Sequence, residues 1–438
     1  MKSFYVHNFG CRATQADGAA LETLLSLRGL APSGLREHAD LVVLNTCTVT
    51  ATADDDVRKT ARRVNRENPE ARILITGCYA QRDPETLAQL PGVQWVVGNS
   101  HKTQIPDLVA EHAARGDALT PYHGNIHVGD IFAQNEFLSA PVEDAAGDRT
   151  RPNLKIQDGC NNRCSFCIIP FVRGKSRSAS LAQVVEQVRQ LAGRYREVVL
   201  SGINLGRWGR DNGIQMRLHD LVKILLAETP IQRLRLSSVE PMDYSNELLA
   251  VMADSGRIAR HWHAPLQSGS DTVLKRMKRR YRLRHYEDRM EKAAAMLPGA
   301  AFGADVMVGF PGESDAEFEE TRAFIERMPY TYLHVFTYSA RPTTPAAGMA
   351  DHVPMDVRKQ RNSVLRDLAA AKNLEFRRRF VGQKLSVVTL ENQQFGLSDN
   401  YLKVELAAPR PANELHDLSI GAVTGTGLAE SRSALVVL

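Results

Sequence analysis

Short β-branched runs alternate with helical stretches through most of this 438-residue chain, and that rhythm restricts the fold more than any other property. Parallel strands covered by helical crossovers read this way, so an α/β architecture is expected. Within residues 1–112, KSFYVHNF, LVVLNT, RILITG and VQWVVG are separated by helical stretches, among them 15–27 and 53–68. This predicts a doubly wound parallel sheet. Residues 113–150, with the turn-rich YHGNIHVGD and EDAAGDRT, read as a connector. From 151 to 375 come LKIQDG, EVVLSG, RLRLSS, RHWHAPL, AAFGADVMVG and TYLHVF, with helices at 180–192, 217–227 and 314–327. Six strand–helix units predict a partial (β/α)6 barrel with functional residues at the carboxyl ends of its strands. A long polar helix near 355–380 then leads into residues 376–438, which read as a small β-barrel.

The six cysteines divide into two groups of three. Cys160, Cys164 and Cys167 share one loop, GCNNRCSFCIIPFVRG, directly after the first strand of the partial barrel. Cys11, Cys47 and Cys78 each follow a different strand of the N-terminal sheet. The carboxyl ends of parallel strands lie on one edge, where ligands bind, so these three are expected to converge. The loop spacing C-x3-C-x2-C lacks a fourth zinc ligand, because Ile168, Ile169 and Pro170 follow. Three thiolates on a cubane iron–sulfur cluster would leave one iron free for a substrate. A degraded zinc site or buried thiols compete with this reading of the loop, and small buried hydrophobes compete for the dispersed three.

With 43% hydrophobic and 24% charged residues, the fibrous and disordered classes are excluded. No apolar run approaches the roughly 20 residues needed to cross a bilayer. The start, MKSFYVHNFGCR, is broken by His7 and Asn8 and has no small-residue cleavage site, so a cytoplasmic location is expected. In that compartment clustered cysteines bind metal or do redox chemistry rather than form disulfides. The net charge of +5 permits an anionic partner without requiring one. The run KRMKRRYRLR holds seven Lys or Arg. Lys275, Arg276, Lys278, Arg279 and Arg280 are candidate RNA contacts, as are Arg377, Arg378 and Arg379, against the plainer reading of solvated helix faces. Asp54, Asp55 and Asp56 read as a helix-start cluster and nothing more. His261 and His263 share one strand face, but a metal site there needs a third ligand that the sequence does not identify. They read as packed or hydrogen-bonded barrel residues.

GCNNRCSFCIIPFVRGKSRS resembles the radical S-adenosylmethionine (SAM) loop of the methylthiotransferase family. GCR, NTCTVT and GCYAQ are similar to that family's N-terminal cluster domain, and HAPLQSGSDTVLKRMKRRY, DVMVGFPGES and LHVFTYSARPTTPAA to its barrel. FGLSDNYLKVEL resembles its C-terminal TRAM domain, an RNA-binding β-barrel. NTCTVTATAD, GKSRS and LHVFTYSARPTTPAA look most like the MtaB branch, which methylthiolates C2 of threonylcarbamoyladenosine next to the tRNA anticodon. The resemblance implies two 4Fe–4S clusters, one on Cys160, Cys164 and Cys167 and one on Cys11, Cys47 and Cys78. It also implies SAM as radical source and methyl donor, with Gly202, Ser238, Glu240, Gln267 and Asp305 facing it. The implied partners are tRNA, a sulfur source and an electron donor such as flavodoxin or ferredoxin. Isopentenyladenosine in tRNA, or an Asp of a ribosomal protein, are the alternative substrates. A non-catalytic iron–sulfur RNA-binding protein is the alternative of another class.

Overall fold

The computed structural model describes residues 1–115, 124–134, 137–138, 150–211 and 215–432. The N-terminal sheet holds β1 (Ser3–Asn8), β2 (Ala31–Pro32), β3 (Leu41–Thr46), β4 (Arg72–Gly77), β5 (Val93–Gly98) and β6 (Asn125–His127). All are parallel, in the order β2-β1-β3-β4-β5-β6. Alternate residues of β3 serve opposite faces. Val42 and Leu44 join Val57 and Val64 of the helix Ala51–Glu67, whereas Leu41 and Val43 join Leu21 and Leu25 of the helix Arg12–Leu27. A strand covered on both sides has no polar face to show, hence the continuous apolar run. β6 falls in the stretch read as a connector and extends the sheet beyond β5. At three residues it is too short to carry a period. Residues 116–123, 135–136 and 139–149 of that stretch lie outside the described residues.

Six parallel strands follow: β7 (Asn153–Asp158), β9 (Glu197–Gly202), β10 (Arg233–Leu236), β11 (His261–His263), β12 (Ala301–Val308) and β13 (Tyr332–Thr337). A short strand, β8 (Arg177–Ser178), folds back antiparallel on β7. The strands form two sheets, β10-β9-β7-β8 and β11-β12-β13. The bonds Ala259 N to Leu234 O (2.9 Å) and Val239 N to His263 O (3.0 Å) bridge them into an open barrel wall. The helix Arg12–Leu27 of the first domain packs against β7 and β9.

The C-terminal domain is a closed barrel of β14 (Lys384–Thr389), β15 (Phe395–Ser398), β16 (Lys403–Glu405), β17 (Leu415–Val423) and β18 (Leu428–Glu430). It seats at the amino ends of the wall. Arg235 donates to Glu197 (2.7 Å), to Ser398 O (3.0 Å) and to Asp399 O (3.1 Å). Tyr401 stacks on His261 with ring centroids 4.4 Å apart. No described helix is long and apolar enough to cross a membrane.

Candidate active site

Gly159 opens the cysteine loop in the left-handed region, at φ 68°. A Cβ there would stand 2.0 Å from Lys175 O, so only glycine lets β7 run into the loop. The loop is then sewn to the barrel: Cys160 N donates to Gly174 O (3.1 Å), Ser165 N to Met277 O (3.0 Å) and Ala346 N to Ser165 O (2.8 Å). Three N–H donors are aimed at its sulfurs. Asn162 N and Asn204 Nδ2 approach Cys160 Sγ at 3.4 and 3.7 Å, and Arg279 donates to Cys164 Sγ at 3.3 Å. Burial, then the neighbouring Cys164 and Cys160, push the Cys167 thiol up to about 12. Crowded thiols resist forming a second thiolate beside the first, and a bound metal cation removes that penalty.

The dispersed cysteines also meet. β1, β3 and β4 are neighbours, so Cys11, Cys47 and Cys78 leave adjacent strands at the edge where the strand order reverses. Gly10 lies so close to Cys47 that a Cβ on it would stand 2.8 Å from the Cys47 sulfur, and its φ is 85°. Burial, then Cys78 and Cys11, push the Cys47 thiol up to about 12. Asn99 Nδ2 reaches Cys78 Sγ (3.6 Å) and also donates to Val172 O of the barrel domain (2.7 Å). Cys78 packs with Ile168, the residue after Cys167, and with Val172. The two trios therefore adjoin across the domain boundary.

That boundary is charged and buried. Asp17 is paired with Lys102 (3.0 Å), with Arg173 (3.0 Å) and with Lys155. Asp158 is paired with Arg173 (2.9 Å) and Lys155 (3.1 Å). Arg173 lies close enough to Cys78 and Cys11 for its guanidinium to interact electrostatically with them. Lys102 and Arg173 thus set positive charge behind the dispersed trio.

Residues 154–325 match the radical SAM superfamily, and residues 3–98 match the uncharacterized protein family UPF0004. The chain is 38% identical to the threonylcarbamoyladenosine tRNA methylthiotransferase MtaB of Bacillus subtilis, over 92% of this chain and 90% of that one. The Aquifex aeolicus protein of the same name is 36% identical, over 90% of this chain and 94% of that one. The chain belongs to the radical SAM methylthiotransferase family. Another relative, the tRNA-2-methylthio-N(6)-dimethylallyladenosine synthase of Novosphingobium aromaticivorans, is 34% identical over 88% of this chain and 86% of that one. The radical SAM methyltransferase TsrM of Kitasatospora setae shares the fold, with a TM-score of 0.59 at 15% identity, covering 79% of this chain and 77% of that one.

As a radical SAM tRNA methylthiotransferase, the enzyme uses SAM and a 4Fe–4S cluster, and its residues fit both. Beside Cys167 lies a cavity of about 360 Å³, with Phe166, Met307 and Phe336 as apolar walls. Gln267, at φ 65°, borders it with a buried Oε1 that has no partner, and Asn204 Oδ1 is likewise buried without one. Such orphaned acceptors suit the amino and hydroxyl groups of a ligand. Glu240 is held by Arg279 (2.5 Å), and Ser238 is half-buried nearby in sequence. Gly202 lies against Gln157, where a Cβ would stand 2.9 Å from that side chain. Asp305 instead turns to His263 (3.3 Å) and His334 (3.2 Å). Glu313 of GFPGES pairs with Arg361 (2.6 Å), and Ser314 caps the helix Asp315–Arg327.

The basic run is divided. Lys275, Lys278 and Arg280 are exposed, whereas Arg276 grips Glu317 (2.7 and 2.8 Å) and Arg279 is buried against Cys164. Arg377 holds the terminal barrel through Thr424 O (2.7 Å), Arg378 is exposed, and Arg379 pairs with Glu375 (2.6 Å). The reading of Asp54 as a mere helix start is corrected. It is buried, accepts from Thr48 Oγ1 (2.6 Å), and pairs with Arg82 (3.0 Å) and with Arg341 of the barrel domain (2.7 Å). Sequence reasoning also missed Asn99, Asn204 and Arg173, since nothing local marks their partners.

Proposed function

We propose that the enzyme inserts a methylthio group at C2 of N6-threonylcarbamoyladenosine, next to the anticodon of tRNA. The observation that carries this reading is the contact between two three-thiol sites, Cys78 packing on Ile168 beside Cys167. Each trio offers one thiolate fewer than a four-iron cubane has corners, so each of two clusters would keep one iron for a non-protein ligand. C2 of a purine has neither an acidic proton nor a leaving group, and acid–base or nucleophilic catalysis has no purchase on it. SAM with a cluster held by Cys160, Cys164 and Cys167 would supply carbon-radical chemistry that can take this hydrogen, and a second cluster held by Cys11, Cys47 and Cys78 would supply sulfur.

The protein's own part is to hold, aim and exclude water. Arg279 ties Cys164 to Glu240, fixing the loop against the neighbouring strand end. Gln267, on the cavity beside Cys167 that Phe166, Met307 and Phe336 keep dry, orients SAM together with Asn204, Glu240, Gly202 and Ser238 at other strand ends of the barrel. Exposed Lys275, Lys278 and Arg280, together with the terminal barrel, take the tRNA phosphates. An electron donor such as flavodoxin or ferredoxin and a sulfur source complete the partners.

The threonylcarbamoyl substrate is supported by the names of the B. subtilis and A. aeolicus relatives. The N. aromaticivorans relative, named for the dimethylallyl nucleoside, is the reason to retain that substrate as a second reading. Mass spectrometry of tRNA nucleosides from cells with and without the gene decides between them. Loss of the methylthio-threonylcarbamoyl nucleoside is expected. Loss of the methylthio-dimethylallyl nucleoside, or unchanged tRNA beside an unmodified ribosomal-protein Asp, would overturn the proposal.

A further inference from the structure

We propose that His263, Asp305 and His334 form a binding site for one first-row divalent metal cation inside the barrel, separate from both cysteine trios. They come from three adjacent strands, β11, β12 and β13, and one ligand atom of each lies within 4.8 Å of the other two. His263 Nε2 stands 3.3 Å from Asp305 Oδ2, and His334 Nδ1 stands 3.2 Å from Asp305 Oδ1. Nitrogen and oxygen ligands about 2.1 Å from a shared ion are roughly 3.0–3.4 Å apart, so these pairs already stand at ligand spacing. Two imidazoles and a carboxylate suit iron, zinc, cobalt or manganese in the divalent state.

The hydrogen bonds behind the cluster favour a cation in its centre. Tyr332 Oη lies 2.6 Å from His261 Nε2 and 2.7 Å from His263 Nδ1. Gly303 makes room for this reach, since a Cβ on it would stand 2.0 Å from the Tyr332 ring. The Tyr332 hydroxyl thus bridges the two imidazoles and holds the His263 ring with its Nε2 toward Asp305.

The geometry agrees with that arrangement. His263 is only 4% exposed, and its Nε2 makes no aligned hydrogen bond despite the nearness of Asp305. That nitrogen and the Asp305 carboxylate are two potential ligand groups facing one gap. Metal-bound histidines are typically steadied through their second nitrogen, the part Tyr332 plays here. His334 has 57% of its side chain exposed, so the site opens to the lumen and leaves positions for oxygen donors.

The test is an anaerobic titration of cluster-loaded, oxidised protein with Mn2+, which thiolates bind poorly. In that state the cubanes give no paramagnetic signal, so loss of the free Mn2+ resonance reports binding directly. One site per chain, competed by Zn2+, is expected. H334A and D305N should each weaken binding at least about tenfold while iron content stays unchanged. H334A removes a largely exposed side chain and decides the matter alone if D305N fails to fold. No bound Mn2+ or Zn2+ at about 1 mM metal, or an undiminished affinity in H334A, would overturn the proposal. The readout does not depend on tRNA modification, so its failure leaves the proposed activity standing, and the reverse also holds.

Discussion

The two cysteine trios are assembled by opposite constructions. Cys160, Cys164 and Cys167 are placed by one loop whose path is fixed by a left-handed glycine and by backbone bonds to residues 276–277 and 346. Cys11, Cys47 and Cys78 are placed by three neighbouring strands, with a buried ion network behind them. A loop-built site depends on a few local contacts. A sheet-built site depends on everything that keeps the strands in register and the domains together, so the two should fail differently.

Removing one thiol from either trio has the largest expected effect. Cys160→Ser and Cys47→Ser should each abolish methylthiolation and lower bound iron from about eight to about four per chain. Iron analysis of anaerobically reconstituted protein checks this; complete loss of iron in either variant would show that the sites are not independent. Asp17→Ala comes next, because it leaves buried Lys102 without its carboxylate partner and Lys155 and Arg173 with Asp158 alone. A cost of about 3–5 kcal/mol in denaturant unfolding is expected, with iron lost from the sheet-built trio before the loop.

The same residue gives a pH signature. Burial alone would raise the Asp17 pKa, but Lys102, Lys155 and Arg173 override it and lower it. With the folded pKa below the unfolded one, the network's contribution is complete above about pH 4 and is lost as pH falls through the depressed folded value. Acid titration of wild type should show this loss, and Asp17→Ala should show only the part that Asp158 keeps through Arg173 and Lys155.

Smaller effects separate the loop further. Arg279→Met removes the donor to Cys164 and frees Glu240. Turnover should fall about 10- to 100-fold, with the dispersed trio's cluster spectrum unchanged. Smallest of all, Ser314→Ala should cost about 1 kcal/mol in thermal unfolding through the lost helix cap and leave iron content at both trios intact.

Much of this was legible in the sequence. The helix Arg12–Leu27 begins three residues before the expected 15–27 stretch, since its first turn carries Arg12, Ala13 and Thr14 beside Cys11 and offers no clear period. All six expected barrel strands form, and the terminal segment closes into a barrel. The charged residues were read less well. Arg276 and Arg279 sit in a basic run, yet one holds Glu317 and the other lies buried between Cys164 and Glu240. His261 and His263 are buried and hydrogen-bonded to Tyr332, as the sequence suggests, whereas the nearness of His263 to Asp305 and His334 was hidden because those two come from other strands.

The sequence by itself determined the layered α/β order, the loop trio and the strand-end position of the other three cysteines. Each of these follows from periodicity or spacing over a few residues. Only the tertiary structure decided which long side chain meets which. Asp54 finds Arg341, Arg279 finds Glu240, and His263 finds Asp305 and His334. Such pairings are set by which strands become neighbours and which side chains lose their water, and neither is a local property of the chain.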